Sequence, residues 1–349
     1  MRRSNLLYLL PALAILSCSK DSITPETEEQ LIENKELSAN VEMAYPEDFG
    51  LLSDVYFAGQ KITVEEIDGD YIYEGDIVFS NDMITSQDVK LVYEIGEVPS
   101  QQKSVGRTSA RWPNNTVYYD IDGSLPDQNR ALDAINHWEA NTSLKFVRRT
   151  SQSNYIYFTP GSGCSSYIGM IGGRQNITLA SACSTGNTIH EIGHAVGLWH
   201  EQSRVDRDKH IKINYANIQS GREHNFQTYA ESGFDGAEFT SNLDFGSIML
   251  YSSYSFSSNG QPTIVKLDGS TFSGQRNALS SGDKTGIYAM YPSGDTGTTQ
   301  PIAPTYINGE YYTISGVTVL RHNDLWYYYS RVYGWKIVEL VDGRWYYAR

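Results

Sequence analysis

The residues best suited to chemistry lie in one stretch, TIHEIGHAVGLWHEQSRVDRD, at residues 188–208. His190 and His194 are four residues apart, so on a helix both imidazoles project from one face and can hold one ion. Gly197 lets the chain leave such a helix sharply, so that His200 can return as a third ligand. Three neutral imidazoles that leave one position open are typical of a catalytic zinc site rather than a structural one.

Glu191 lies beside the first histidine, where it can deprotonate a water molecule at the ion without being a ligand. Three histidines, one glutamate and one glycine at this spacing arise by chance in about one chain in 10⁵. An amphipathic helix with ordinary histidines explains the first two, but not the added glycine and third histidine. The remaining histidines have no such spacing and are interpreted as ordinary: His137, His210, His224 and His322.

The pattern around this stretch predicts the elements that must position it. Residues 188–198 predict a helix that ends at a glycine, and residues 127–140 predict another helix. The helix at residues 127–140 would bury one face, formed by Ala131, Leu132, Ile135 and Trp138. Strands are predicted at residues 116–119, 144–147 and 155–158. Helices and strands in one compact unit indicate an α+β fold.

Charge and composition divide the 349 residues into separate units. The net charge is −14, and residues 20–105 alone carry 20 acidic side chains against 5 lysines. This distribution predicts an acidic propeptide with a tether at 19–106, a catalytic domain at 107–292, a linker at 293–304 and an aromatic-rich module at 305–349. An acidic chain without a basic face argues against nucleic acid as a partner.

The N-terminus has the features of an export signal. Arg2 and Arg3 precede an apolar run at residues 6–16 that is too short to span a bilayer, and Cys18 follows it closely. The sequence ILSC resembles a bacterial lipobox, in which the cysteine is acylated, although isoleucine replaces the usual leucine. We therefore expect residues 1–18 to be a signal. The protein would be exported, either as an outer-membrane or cell-surface lipoprotein anchored to the membrane through lipid on Cys18, or as a secreted protein.

The histidine stretch continues into a longer pattern, HExxHxxGxxHExxRxD, which ends at Glu201, Arg204 and Asp206. On this pattern the chain resembles the astacins, a family of metzincin zinc endopeptidases, here of the bacterial type with a propeptide. The resemblance implies two subdomains on either side of an active-site cleft, one Zn²⁺ per catalytic domain and protein or peptide substrates. Glu191 would then act as general base and afterwards as general acid.

The resemblance extends to a methionine turn, SIMLY, at residues 247–251. Met249 would form a hydrophobic floor under the zinc. Tyr251 would be a fifth, displaceable ligand, which leaves the metal when substrate binds and hydrogen-bonds the oxyanion. Glu201 would lie near the buried N-terminus of the mature chain.

The acidic region contains YEGDI at residues 73–77, which resembles the FxGDI motif of astacin propeptides. In that motif the aspartate takes the open position on the zinc, so Asp76 would keep the chain latent. Gly75 would allow the close backbone approach. An activating protease would cut in the polar stretch at residues 100–110.

The cysteines fit an oxidising compartment. If Cys18 is acylated, Cys164 and Cys183 remain, and two such cysteines most simply form one disulfide. The resemblance implies the same pair, which matches one of the two disulfides usual in astacins, while the second pair is missing here.

The segment PTIVK, at residues 262–266, resembles the family segment that walls the pocket for the residue after the scissile bond. Lys266 would attract a carboxylate there, which predicts cleavage before Asp or Glu. The alternative is an exposed loop lysine that does not contact substrate.

Residues 305–349 hold three tryptophans and many tyrosines, interrupted by Asn-Gly, Ser-Gly and Asp-Gly pairs that are typical of hairpins. They predict a small all-β module, whose aromatic residues form either its core or a carbohydrate-binding face. Two rival functions stay open at this point: a glycan-binding surface adhesin with a vestigial zinc domain, and a zinc amidase that acts on cell-wall peptide. The intact Glu191 argues against the first, and a panel of substrates separates the second.

Overall fold

The structure is a computed structural model. It describes residues 42–57, 60–81, 83–85, 92–93, 111–229, 239–292, 308–309, 311–314, 317–330, 334–341 and 344–348. The predicted signal with Cys18, the cleavage stretch at 100–110 and the linker at 293–304 lie outside the described residues. Among the helices of the described residues, none has the length and apolar character needed to cross a membrane.

Where the structure describes the acidic segment (residues 19–106), it forms a series of short strands. These are β1 Leu51–Phe57, β2 Gln60–Ile67, β3 Asp70–Tyr73, β4 Ile77–Phe79, β5 Ile84–Thr85 and β6 Val92–Tyr93. Strands β1 to β4 pair as antiparallel neighbours, because alternating apolar residues give them one buried face. The turn between β3 and β4 consists of Glu74, Gly75 and Asp76.

The described part of the catalytic domain (residues 107–292) combines strands with three α-helices. Its strands are β7 Thr116–Ile121, β8 Lys145–Arg148, β9 Tyr155–Thr159, β10 Cys164–Tyr167, β11 Arg174–Leu179, β12 Ile211–Ile213 and β13 Ile264–Lys266. Its helices are α1 Asn129–Asn141, α2 Thr185–Ala195 and α3 Ser281–Met290. The α+β class expected from the sequence is confirmed.

The two segments share one ten-stranded sheet, in the order β5-β1-β2-β3-β4-β10-β11-β9-β7-β8. They join where β4 pairs in parallel with β10, with Ser166 opposite Ile77 and Tyr167 opposite Val78. The acidic segment therefore extends the sheet of the catalytic domain, beside the helix that carries the first two histidines.

A core of tryptophan, isoleucine and leucine side chains fixes helix α2 in place. The indole of Trp112 donates to the carbonyl of Ala195 at 2.9 Å, and that of Trp138 donates to the carbonyl of Ile189 at 3.1 Å. Leu132 was expected on the buried face of α1, but it is 38% exposed, and Ala134 is buried instead. The 3.6-residue period accounts for this, since positions 131, 134, 135 and 138 share one face.

The C-terminal module, residues 305–349, forms a separate six-stranded sheet. Its own strands are β14 Tyr311–Ile314, β15 Val317–His322, β16 Leu325–Ser330, β17 Gly334–Val341 and β18 Arg344–Tyr347. They pair in sequence as antiparallel hairpins, which confirms the all-β module. The sixth strand, beyond β18, is β6 of the acidic segment.

Candidate active site

Helix α2 begins three residues earlier than the sequence pattern predicts, because a capping box starts it. The Ser184 hydroxyl accepts from the backbone of Asn187, and the Asn187 side chain accepts from the backbone of Ser184. The helix ends at Ala195, ahead of Gly197, whose φ of 110° suits glycine. The chain then reverses toward His200, as the glycine in the motif predicts.

The two helical histidines are held through their Nδ1 atoms, which leaves Nε2 as the atom that each can offer as a ligand. His190 Nδ1 lies 2.8 Å from the carbonyl of Ile248, and His194 Nδ1 lies 2.8 Å from that of Leu198. Each carbonyl accepts the Nδ1 proton, which fixes the tautomer and the ring orientation. Burial is the main cause that lowers the pKa of both imidazoles, so they favour the neutral form that a metal requires.

The methionine turn is fixed from behind by helix α3. Asp283, in its first turn, accepts from the Ser247 hydroxyl at 2.6 Å and from the backbone of Ile248 at 2.9 Å. Met249 is buried against α2, where a side-chain carbon at Gly193 would lie 2.7 Å from its sulfur. A side chain at position 193 would displace the end of Met249, which packs in the core against α2.

His200 is oriented by a residue of the acidic segment. Its Nδ1 donates to Glu74 Oε2 at 2.8 Å, and the other oxygen of Glu74 accepts from the Ser203 hydroxyl at 2.6 Å. Sequence reasoning missed Glu74. The available signal was a second carboxylate beside Gly75, in a motif whose aspartate had already been singled out.

Asp76 brings a carboxylate to all three imidazoles. Its Oδ2 lies 3.2 Å from Nε2 of both His190 and His200, and its Oδ1 lies 3.6 Å from Nε2 of His194. The turn that presents it is tightly packed, because a side chain at Gly75, whose φ is 82°, would meet the Phe256 ring at 2.8 Å. We call Asp76 and the three histidines the histidine-aspartate cluster.

The histidine-aspartate cluster fits a zinc ion by its donor set and its burial. One ligand atom from each of its four residues lies within 4.8 Å of the other three, and all four residues are buried. Asp76 Oδ1 and His194 Nε2 are buried without a hydrogen-bond partner among the described residues. Unpaired buried donors and acceptors are costly unless something binds them, and imidazole and carboxylate are the ligands Zn²⁺ takes.

The charges in the site depend on each other. Burial acts to raise the pKa of Asp76, but the adjacent His200 and His194 outweigh it and hold that pKa well below its usual range. Burial, reinforced by the charge of Asp76, raises the pKa of Glu191 well above its usual range. Glu191 Oε2 has no hydrogen-bond partner among the described residues, so this carboxylate is free to take a proton.

Tyr251, of the methionine turn, lies against His200, and Glu201, of the extended motif, directly follows that histidine in the chain. The Tyr251 ring centre is 4.6 Å from that of His200, and its hydroxyl donates to the backbone carbonyl of Glu74. Glu201 accepts from the backbone of Asp244 at 2.8 Å, and burial raises the pKa of this glutamate to about 7.

Cys164 and Cys183 form the expected disulfide, which ties β10 to the chain just before α2.

Lys266 does not lie in the histidine-aspartate cluster. It ends β13, and its ammonium lies 4.6 Å from the ring centre of Phe245. The guanidinium found near the site is that of Arg276, which donates to the carbonyl of Leu250 at 3.2 Å and to Glu42 of the acidic segment at 2.8 Å. Its charge also acts on the pKa of His190 and Glu191. The sequence pattern around Lys266 did not point to Arg276.

A helix that carries two histidines and an adjacent glutamate, with a third histidine beyond its end, is the arrangement typical of zinc-dependent peptidases. The model of the astacin family, peptidase family M12A, matches residues 104–292. The chain therefore belongs to the astacin family of zinc metalloproteases.

Two relatives found by sequence agree with this assignment. Blastula protease 10 of Paracentrotus lividus is 44% identical over 195 residues, which are 52% of this chain and 32% of that protein. Flavastacin of Elizabethkingia meningoseptica is 42% identical over 193 residues, covering 52% of this chain and 42% of flavastacin. The chain thus spans less than half the length of both relatives. The solved structure of high choriolytic enzyme 1, a hatching enzyme zinc-protease of Oryzias latipes, is 30% identical, with a TM-score of 0.49 over 53% of this chain and 96% of that chain.

Proposed function

We propose that the chain is a zinc endopeptidase made in a latent form, in which the acidic segment blocks the three histidines through Asp76. The observation that carries this proposal is the position of the Asp76 carboxylate, 3.2 Å from two of the Nε2 atoms and 3.6 Å from the third. A carboxylate held there takes the place that water and a substrate carbonyl need at a catalytic zinc.

The residues of the catalytic domain would divide the hydrolysis of a peptide bond among them. Zn²⁺ held by the three imidazoles would polarise the scissile carbonyl and acidify the attacking water. Glu191 would accept a proton from that water and deliver it to the leaving amine.

Tyr251 would supply a hydrogen bond to the substrate oxygen on which charge develops. In the latent form its hydroxyl donates to the carbonyl oxygen of Glu74. Departure of the acidic segment would release this hydroxyl, so that it could donate to the oxyanion of a substrate instead. Burial and the nearby Asp76 raise the pKa of Tyr251 well above its usual range, so the hydroxyl keeps its proton and remains a donor.

Latency is tested with Asp76→Ala in the uncut full chain. The wild type should hydrolyse casein only after a cut in residues 100–110, whereas Asp76→Ala should be partly active without it. Asp54→Ala is the matched control, because Asp54 lies in the same segment but forms a surface ion pair with Lys61. If the uncut wild type is as active as the cut form, this proposal fails.

The substrate pocket of the active enzyme would contain Arg276 rather than Lys266. Arg276 holds a carboxylate of the acidic segment, that of Glu42, and its charge reaches Glu191. Once that segment leaves, the guanidinium would be available to an acidic side chain of the substrate. The preference for Asp or Glu expected from Lys266 would then depend on a different residue.

Export is also part of the proposal, with either a lipid on Cys18 or simple secretion after removal of the signal. The pattern of residues 1–18 and the disulfide between Cys164 and Cys183 support it, because disulfides persist in oxidising compartments. Labelling cells with an alkyne fatty acid, with Cys18→Ala as control, separates the two routes. Label on the wild type alone indicates a lipoprotein anchored in the membrane, and absence of label indicates secretion.

A second role, carbohydrate binding, is proposed for the C-terminal module on one observation. Three exposed aromatic residues, Tyr311, Tyr329 and Trp335, lie together, with ring centres 6.2 Å and 5.3 Å from that of the tryptophan. Exposed rings of this kind can stack on sugar faces. Retention on insoluble glycans should fall for Trp335→Ala, and equal retention of both forms would refute this role.

A further inference from the structure

The C-terminal module takes its sixth strand from the acidic segment. Strand β6 pairs in parallel with β18, with Val92 opposite Trp345 and Tyr93 opposite Tyr346. It lies at the edge of the sheet, next to β18. Backbone pairing therefore joins the module, which follows the catalytic domain in the sequence, to a strand that precedes that domain.

The contact also includes side-chain burial. Val92 is 2% exposed and belongs to the core of the module. The other fully buried members of that core are Val317, Val319, Val338 and Trp345. Because this core has only five fully buried side chains, it loses a substantial part of its apolar contact when Val92 is removed from it.

We propose that the C-terminal module is a binding module for strand β6 of its own chain. Addition of a strand to an open sheet edge is a common mode of peptide recognition, in which the backbone supplies affinity and a pocket for one side chain supplies specificity. Here the pocket is the core that receives Val92. The module would keep hold of the acidic segment after the covalent link at residues 100–110 is cut.

The consequence for activation rests on the latent form proposed above, whereas the assembly of the module with β6 does not. The acidic segment contacts the catalytic domain at β10 and at the histidine-aspartate cluster, and it contacts the module at β18. Because the module is covalently linked to the catalytic domain, one contact keeps the segment at high local concentration near the other. A single cut would then release the inhibitor only slowly, and full activation would need loss of the segment or of the module.

The test for assembly uses the zinc-loaded full chain with Glu191→Gln, so that no self-digestion occurs and the readout is independent of catalysis. A specific protease site replaces part of residues 293–304, and after cleavage the module is followed by size-exclusion chromatography and native mass spectrometry. We expect the wild-type module to stay with the rest of the chain and Val92→Asp to release it at least about tenfold faster. Leu51→Asp is the matched control, because Leu51 is an aliphatic residue of the same segment that is 71% exposed.

A peptide of residues 88–97 separates loss of binding from misfolding. It should bind the module of the Val92→Asp chain, and the same peptide with aspartate at position 92 should not bind. The proposal is overturned if the wild-type module elutes alone after cleavage. It is also overturned if Val92→Asp retains the module like the wild type, or if neither peptide binds the Val92→Asp chain.

The role in activation has its own readout. With the protease site placed at residues 103–108 instead, the acidic segment should leave the wild type at least about tenfold more slowly than it leaves Val92→Asp. Equal release from both would overturn retention by the module. Because release is measured as fragment dissociation, a failure here is distinguishable from an error in the assignment of the peptidase activity.

Discussion

The buried ion pair between Glu65 and Arg222 offers a direct measure of how firmly the acidic segment is held on the catalytic domain. Glu65 comes from β2, and the two side chains are 4% and 3% exposed. Arg222 also donates to the carbonyl of Asp48 at 3.3 Å and lies 4.9 Å from the ring centre of Phe49. All three of these contacts of Arg222 are with residues of the acidic segment.

Glu65→Gln removes the charge, keeps the size of the side chain and leaves Arg222 buried without a carboxylate. Loss of one partner from a buried pair costs about 3–5 kcal/mol, which corresponds to about two to three and a half orders of magnitude in the dissociation constant. Asp54→Asn is the matched control in β1, because Asp54 and Lys61 pair at the surface with side chains 51% and 58% exposed. A surface pair of this kind contributes about 0–1 kcal/mol.

The assay measures release of the acidic segment from the chain cut at residues 100–110, in a Glu191→Gln background and over a series of urea concentrations. We expect the Glu65→Gln segment to dissociate at least about a hundredfold more readily and the Asp54→Asn segment less than about fivefold. Replacing both Glu65 and Arg222 by methionine should recover part of the loss, since no charge is then left buried. Equal effects of the two single variants would refute the role given to burial.

Four further outcomes are expected. Glu191→Gln should keep its zinc, measured by elemental analysis, and lose about 10² to 10⁴ in rate, since the residue acts as base and is not a ligand; comparable turnover at full zinc occupancy contradicts this. Tyr251→Phe should lower kcat more than it raises KM, by about 3–4 kcal/mol in activation free energy, and an unchanged kcat would return this tyrosine to a packing role. Cleavage of a peptide library should show enrichment of Asp or Glu after the cut that is lost in Arg276→Ala and kept in Lys266→Ala; the reverse result would restore the sequence-based assignment. Burial, aided by an adjacent arginine, lowers the pKa of His224 to about 4, so stability is full above pH ~6.5 and falls by up to about 3 kcal/mol as the pH drops toward 4; His224→Gln should flatten that part of the urea-unfolding profile, and an identical slope in both proteins would contradict the shift.

The sequence predicts the metal-binding residues well because their spacing is local. His190 and His194 share a helix face whatever the rest of the fold does, and Gly197 marks the reversal that brings in His200. The start of helix α2 was misplaced because Thr185 and Gly186 do not continue the apolar pattern. The cap that starts the helix there depends on the side chain of Asn187, which pattern analysis did not weigh.

Contacts between segments that are far apart in the chain could not be predicted from the sequence, for a different reason. The pairing of β4 with β10 and of β6 with β18 joins residues separated by most of a domain, and periodicity carries no information on which edge an isolated strand will join. Glu74 and Arg276 were missed on the same ground. Each becomes significant only when a partner from the other segment lies beside it, His200 in one case and Glu42 in the other.

The shared sheet also has a consequence for the order in which the chain folds. Strands β2, β3 and β4 are joined by turns of two and three residues, so their pairing closes only short loops. Strand β7 pairs in parallel with β8 across a crossover that contains α1, and with β9 on its other side, and such non-local contacts form slowly. The acidic segment can therefore form its hairpins early and present β4 as a template for β10. A catalytic domain synthesised without that template would fold more slowly and would leave β10 as an open edge, which is prone to aggregation.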